Sequence, residues 1–330
     1  MQEVFPYPLL HNQQLINEFN RLYKSGNSFL FIIDFKADSG YIIPENELDA
    51  DFIQFDFSGK KPVKTSSDKE LIWEILPVSE QIFADKFKFV TDQIHLGNSF
   101  LTNLTQPTIV KTNYSLSEIY QQSRAKYKLW LKDKFTVLSP EIFVRIQNGI
   151  ISSFPMKGTI DAGIPDAENL ILNNTKEQAE HATIVDLIRN DLSVIADSVE
   201  VKRYRYIDKL QTNKGELLQV SSEISGKLKP EFFKNPAEAF FSLLPAGSIS
   251  GAPKPKTLEI IEKAEGYERG FYTGVCGWCD GKKLDSAVMI RFIEQQGDQL
   301  VFKSGGGITS KSEMLSEYNE LIQKVYVPFF

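Results

Sequence analysis

Apolar positions recur along this chain in two rhythms, one of three to four residues and one of two. Residues 15–23 carry the first, with Leu15, Phe19 and Leu22 on one side, and predict a helix. Residues 28–35 form a short apolar run rich in aromatics, which predicts a buried strand. Residues 51–57 and 72–76 alternate and predict strands. Helical spacing returns over 79–93, where Phe83, Phe87 and Val90 share a face. Ser79 is placed to cap that helix and Gly97 to stop it. A strand is predicted at 99–105. A helix is predicted over 115–131, opened by a Ser-Leu-Ser-Glu capping box.

The two-residue rhythm is clearest in mid-chain. Phe143 to Ile146 alternates, Gln147-Asn148-Gly149 turns, and Ile150 to Phe154 returns, which predicts a hairpin. Beyond it the pattern predicts a loop at 161–167, a long helix at 175–191 and strands within 199–228. A short helix at 236–244, a loop at 245–256 and a helix at 257–265 follow. Strands are predicted at 274–280, 286–294 and 299–303, and a closing helix at 312–325. Helices and strands mix without strict alternation, which predicts an α+β fold with antiparallel sheets. No low-complexity linker or short repeat divides residues 1–330, so they are read as a single domain.

Composition narrows the classes. The chain is 42% hydrophobic and 24% charged, enough for a sizeable core. A net charge of -6 argues against a nucleic-acid partner. No apolar run reaches the roughly 18 residues of a membrane span. The start, Met1-Gln2-Glu3-Val4, lacks a signal-peptide layout, so the expected location is the cytoplasm, with no membrane partner. The cysteines form Cys276-Gly277-Trp278-Cys279 in a strand-like run. With three histidines and no second such motif, they read as buried structural thiols and not as a zinc site.

Several groupings carry chemistry. The hairpin brings its ends together, and with them Glu141 and Lys157; Gly158 lets a ligand or backbone approach closely. These residues alone also fit a surface ion pair. Glu177 and Glu180 share a helix face, as do Glu317 and Glu320, with Lys324 one turn on. Each pair alone fits a solvated acidic face; facing each other, the two would suit a hard cation such as Mg²⁺. Ser248 lies in a Gly/Ser stretch before a helix, and Ser304-Gly305-Gly306-Gly307 is a second small-residue stretch. Both are plain turns or loops whose N–H groups bind an anion, a carboxylate or a phosphate. Arg291 lies in an otherwise apolar strand, where its charge needs either an ion-pair partner or a ligand carboxylate.

In order along the chain, these stretches resemble the motifs of the chorismate-utilising enzymes. That family includes component I of anthranilate synthase, component I of aminodeoxychorismate synthase, isochorismate synthase and salicylate synthase. The matching segments include Ser139-Pro140-Glu141, Pro155-Met156-Lys157-Gly158-Thr159, and Lys176-Glu177 through Asp191. They continue with Gly247-Ser248-Ile249-Ser250-Gly251-Ala252-Pro253-Lys254, Arg269 to Gly274, Ile290-Arg291, Gly305 to Ile308, and Glu317-Tyr318-Asn319-Glu320. The resemblance covers residues 97–324, is specific from Ser139 onward, and is weak over 1–90.

The resemblance implies antiparallel sheets packed as a sandwich, with helices outside. It implies Mg²⁺ between Glu180 and Glu320, supported by Glu177 and Glu317, on the ring carboxylate of chorismate. Gly158, Thr159, Ser248 and Gly305-Gly306-Gly307 fall in its substrate-binding stretches. Tyr272 and Arg291 match the positions that hold the enolpyruvyl carboxylate, and Lys324 matches a lysine near metal and ring carboxylate.

Within the family, aminodeoxychorismate synthases typically carry Lys where this chain has Lys157, and anthranilate synthases carry Ala. Members that add water at C2 use a lysine where this chain has Leu101. Gln219 stands where the family usually has His, which weakens the case for an aromatising lyase step. The implied reaction is amination of chorismate at C4 to 4-amino-4-deoxychorismate, a precursor of 4-aminobenzoate and folate. Glu141 is the implied general acid and Lys157 the implied nucleophile. No glutaminase motif is present, so ammonia is expected from a separate glutamine amidotransferase subunit. The alternatives are anthranilate synthase component I and, from another class, a catalytically idle chorismate-binding subunit.

Overall fold

The run Phe29–Ile33 is buried along its whole length because both of its faces are covered. Phe29, Phe31 and Ile33 pack among helices on one side, while Leu30 and Ile32 meet a second sheet on the other. The computed structural model describes residues 4–58, 69–212 and 215–328.

In chain order the elements begin with β1 (Leu10–His11), α1 (Asn12–Ser25), β2 (Phe29–Ile33), β3 (Ser39–Pro44), β4 (Ile53–Asp56), β5 (Trp73–Leu76), α2 (Glu80–His95) and β6 (Leu101–Thr112). Then come α3 (Leu116–Gln122), β7 (Tyr127–Leu131), β8 (Phe135–Ser139), β9 (Ile142–Gln147), β10 (Ile150–Ser153), β11 (Met156–Asp161), α4 (Ala167–Asn173) and α5 (Thr175–Ile195). The next are β12 (Ala196–Thr212), β13 (Gly215–Leu228), α6 (Pro230–Lys234), α7 (Pro236–Phe241), α8 (Gly247–Ser250), β14 (Gly251–Ala252) and α9 (Lys254–Glu265). Last are β15 (Val275–Cys279), β16 (Lys283–Val288), β17 (Phe292–Gln296), β18 (Gln299–Ile308) and α10 (Met314–Gln323).

The first sheet runs β1-β3-β2-β15-β16-β9-β10-β13-β11, with β12 on the other edge of β13. The second runs β14-β6-β18-β17-β8-β7-β4, with β5 beside β6. All pairings among the described strands are antiparallel, so the fold is α+β with two antiparallel sheets, as expected. Between the sheets Leu30, Ile32, Tyr41 and Cys276 meet Leu129, Val137 and Phe292. Outside the first sheet, Phe19 of α1 and Phe240 of α7 stack at 5.6 Å over Phe29 and Phe31. Each such ring, fully buried, contributes about 1.5–3 kcal/mol. On the far side of the second sheet, α2, α9 and α10 bring Phe83, Ile260 and Leu321 onto Leu104 and Ile308. No helix of the described residues is long and apolar enough to cross a membrane.

Three expectations are corrected and one element is new. The helix predicted over 115–131 ends at Gln122, and 127–131 is the fully buried strand β7. The capping box at Ser115 and Glu118 forms as expected. The amine of Lys128 on β7 donates to the carbonyls of Tyr120 and Ser123, closing the C-terminal end of α3. The strand predicted at 286–294 is two strands, broken at residues 289–291, where Arg291 has a φ of 51°. Gly305-Gly306-Gly307 is not a loop. β18 runs straight through it, paired with Thr105, Leu104 and Asn103 of β6. A helix absent from the sequence reading, α4, follows β11.

Cys276 and Cys279 are free and buried, as expected. Three apart on a strand, they point to opposite faces, Cys276 between the sheets and Cys279 toward the helices.

Candidate active site

The β9–β10 hairpin turns at Asn148 and Gly149, whose φ values of 52° and 73° are those of a tight hairpin turn. Glu141 stands just before β9, its N–H donating to Ser139 Oγ at 3.1 Å and its carbonyl accepting from Val288 N–H at 3.2 Å. After β10 the chain continues as β11 on the edge of β13, and the register slips between Lys157 and Thr159. Gly158 is the residue left out of the ladder, at a φ of 77°. A Cβ there would lie 3.1 Å from Glu177 Oε2, so the carboxylate rests against bare backbone.

α5 brings Glu177 and Glu180 to the same place, its first turn held by Asn174, which accepts from Glu177 N–H. Glu180 Oε2 is 3.4 Å from Lys157 Nζ. From the opposite wall α10 presents Glu317 and Glu320. A Cβ on Gly306 would lie 3.4 Å from Glu317 Oε2. Lys324 Nζ sits 2.7 Å from Glu320 Oε1 and donates to the carbonyl of Gly305 at 2.9 Å. β17 pairs with β18 only as far as Lys303, so beyond it that edge of β18 faces the cavity.

These walls enclose a cavity of ≈ 530 Å³, within the range of small-molecule sites. It gathers all fifteen residues singled out from sequence: Glu141, Lys157, Gly158, Thr159, Glu177, Glu180, Ser248, Tyr272, Arg291, Gly305, Gly306, Gly307, Glu317, Glu320 and Lys324. Leu101 and Gln219 line it as well. Burial raises the pKa of Glu141 above the usual carboxyl range, against the opposing pull of a Ser248 hydrogen bond (2.6 Å) and the charges of Lys157 and Lys324. Tyr272 is buried, and burial raises its phenol too. Arg291 makes no ion pair among the described residues. It donates to the Lys324 carbonyl at 3.1 Å and lies over the Tyr326 ring. The structural ion-pair reading of Arg291 therefore drops away.

Two features escaped the sequence reading. Lys303 lines the cavity, 2.8 Å from Glu294 and donating to the Arg269 carbonyl, with burial lowering its pKa. Its signal was a charge in an apolar alternating strand, the same that marked Arg291. Behind the cavity lies the buried pair Arg269–Glu265, whose guanidinium also holds the carbonyls of Ile249 and Asn103. His181, next to Glu180, is also buried, 2.6 Å from Ser222 Oγ, and its imidazole is pushed down to about 4 by burial.

The donors facing the cavity on its acidic walls are carboxylate oxygens alone, which suits a hard divalent cation. They stand as two pairs: among the described residues, no three such side chains form a ready-made metal cluster. Mg²⁺ needs only one or two carboxylates beside waters and substrate oxygens, so the donor set fits. Charge points the same way. Five carboxyl groups face four cationic side chains here, and a divalent cation turns that balance in favour of a dianionic ligand.

Residues 29–329 match the model of the chorismate binding enzyme family, and the chain belongs to that family. It is 48% identical over 318 residues to an uncharacterized PabA-like protein of Haemophilus influenzae, covering 96% of this chain and 97% of that protein. Two more distant relatives carry different activities. One is anthranilate synthase component 1 of Acetivibrio thermocellus, 32% identical over 75% of this chain and 52% of that protein. The other is aminodeoxychorismate synthase component 1 of Bacillus subtilis, 30% identical over 76% and 55%. The chain matches about half the length of those two. Among solved structures, an isochorismate synthase of Bacillus anthracis shares the fold with a TM-score of 0.71 at 21% identity, covering 97% of this chain and 89% of that one.

Proposed function

We propose that this family member aminates chorismate at C4 with ammonia, releasing 4-amino-4-deoxychorismate and water. One observation supports this above the others: the amine of Lys157 on β11 and the carboxyl of Glu141, just before β9, face the same cavity. The Lys157 charge acts on the Glu141 carboxyl across it.

Chorismate brings two carboxylates and a poor leaving group, the C4 hydroxyl. The raised pKa of Glu141 keeps a proton on its carboxyl for that hydroxyl. The Lys157 amine attacks C2, the ring double bonds shift, and the C4–O bond breaks as Glu141 gives up its proton, so water leaves. Ammonia then attacks C4, the electrons return, and the C2–N bond to Lys157 breaks. The proton shed by the new amine restores Glu141. Mg²⁺, held by Glu180 and Glu320 with Glu177 and Glu317 behind, would supply positive charge at the ring carboxylate. Gly158 and Thr159 lie beside those acids, and Gly305 to Gly307 offer bare backbone on the facing wall. Tyr272, Arg291 and Lys324 are the groups for the second carboxylate and the approach to the first, and Ser248 holds Glu141.

The test is the purified chain with chorismate, Mg²⁺ and an ammonium salt, the product identified by mass. Aminodeoxychorismate is the expected product. Anthranilate would replace the proposal with an anthranilate synthase, and no product under any condition would leave a chorismate-binding subunit. Glutamine should serve only after a separate amidotransferase is added.

A further inference from the structure

Residues 243–254 deliver Ser248 to the cavity, where its Oγ donates to Glu141 Oε1 at 2.6 Å. The helical turn in this stretch, α8, has four residues and cannot hold that geometry alone. The brace comes from α5. Near its end, the Asp191 carboxylate packs against the backbone of Gly247, and its Oδ1 lies 3.3 Å from Lys254 Nζ. Lys254 also donates to the carbonyl of Leu243 at 3.1 Å. One carboxylate, with its lysine, thus ties together the start, the middle and the end of the loop. The fit at Gly247 is tight: a Cβ there would lie 2.7 Å from Asp191 Oδ2 and 3.0 Å from Leu187. A small cavity of ≈ 30 Å³ separates the two carboxyls, lined by Glu141, Asp191, Ser153 and Ser248. It is large enough for about one or two waters.

We infer that Asp191 is a positioning residue for Glu141: through Gly247 and Lys254 it sets the loop that keeps the Ser248 hydroxyl on the Glu141 carboxyl. This rests on the proposed role of Glu141 as acid. A hydrogen bond donated to a carboxylate favours its ionised form, so Ser248 limits how far burial raises the pKa of Glu141. The other groups facing that carboxyl are Lys157 from β11, Lys324 beyond α10, the Tyr272 phenol and, across the small cavity, Asp191.

The experiment is the pH profile of kcat at a fixed concentration of un-ionised ammonia. Ser248→Ala should move the basic limb, which reports protonated Glu141, upward by about half to one pH unit. Ser248→Thr, which keeps the hydroxyl, should leave the limb in place. Asp191→Asn should reproduce the Ser248→Ala shift, and the double variant should shift no further, because both act on one hydrogen bond. Lys254→Met and Gly247→Ala disturb the same brace from its other sides and should shift the limb in the same direction if Asp191→Asn fails to fold. An Asp191→Asn enzyme with a lowered melting temperature and a wild-type limb would overturn the inference. So would additive shifts in the double variant. Glu141→Gln separates the two levels. If it stays fully active, the acid role itself is wrong; if it is inactive while Asp191→Asn keeps the wild-type limb, only the positioning role is lost.

Discussion

Replacing Arg269 with Met tests what holds the floor of the cavity. The Arg269 and Glu265 side chains are each 1% exposed and meet at 2.6 Å. The guanidinium makes a second bond to Glu265 at 2.8 Å and reaches Ile249 O at 2.9 Å, Asn103 O at 2.7 Å and Thr273 Oγ1 at 3.3 Å. Met fills similar space, but leaves Glu265 with only the N–H and hydroxyl of Thr105, both at 2.8 Å. Breaking a buried pair from one side costs about 3–5 kcal/mol. The two carbonyls left behind are each worth up to about 1–3 kcal/mol unless they find water. A loss of at least about 4 kcal/mol is expected, a large part of a stability of about 5–15 kcal/mol. Removing both charges in Arg269→Met/Glu265→Leu should recover much of it, because the largest part of the cost is the stranded carboxylate. Urea unfolding followed by far-UV circular dichroism measures this. A single variant within about 1 kcal/mol of wild type, or a double variant no better than the single, would refute the reasoning. Because Asn103, Ile249 and Thr273 also line the cavity, the folded fraction of the single variant should turn over more slowly as well.

Three further outcomes are expected. Glu180→Gln and Glu320→Gln should each abolish Mg²⁺-dependent chorismate binding in calorimetry while leaving the melting temperature near wild type; normal binding at limiting Mg²⁺ would remove the metal assignment. Lys157→Ala should lower aminodeoxychorismate formation by roughly 10²-fold or more. An unchanged rate would reduce Lys157 to a charge beside Glu180. Burial, helped by the neighbouring Asp38, pushes Asp34 up to about 6 against the hydrogen bonds from Ser39. Its native form therefore holds the proton more tightly than the unfolded chain. Its contribution is full below about pH 4 and is lost as pH rises through about 6, on the order of 3 kcal/mol, and Asp34→Asn should abolish that slope in urea titrations.

Which residues line the cavity was legible through the resemblance to the chorismate-utilising enzymes; read alone, Glu141 and Lys157 fitted a surface ion pair and the two acidic pairs fitted solvated helix faces. Which secondary structure some of them occupy was not legible. Gly305 to Gly307 read as a loop because three glycines weaken a strand in isolation. Nine residues of pairing with β6 override that preference. The segment 127–131 continued an apolar helical window, and only the empty edge between β8 and β4 makes it a strand. Arg291 and Lys303 both broke an apolar pattern, but the sequence could not tell which charge has an ion-pair partner. The structure gives Lys303 its Glu294 and leaves Arg291 bound to a carbonyl. The Arg269–Glu265 pair carried a signal four residues apart in sequence, yet its burial depends on β6 and α8, which lie far along the chain.

The glycine stretch of β18 has a consequence for how such a chain can change over generations. At Gly305 its wall of the cavity is written in main chain, and no side chain can be added there without moving β6. An added methyl group at Gly305 would strike Leu104 O at 2.6 Å and Thr105 at 2.5 Å, separating the two strands. Leu101 on the neighbouring β6, and Lys157 and Gln219 across the cavity, are ordinary side chains on three different strands. That position is thus closed to drift, while the side chains around it can be rewritten one codon at a time, with the vessel kept and the reaction inside it exchanged.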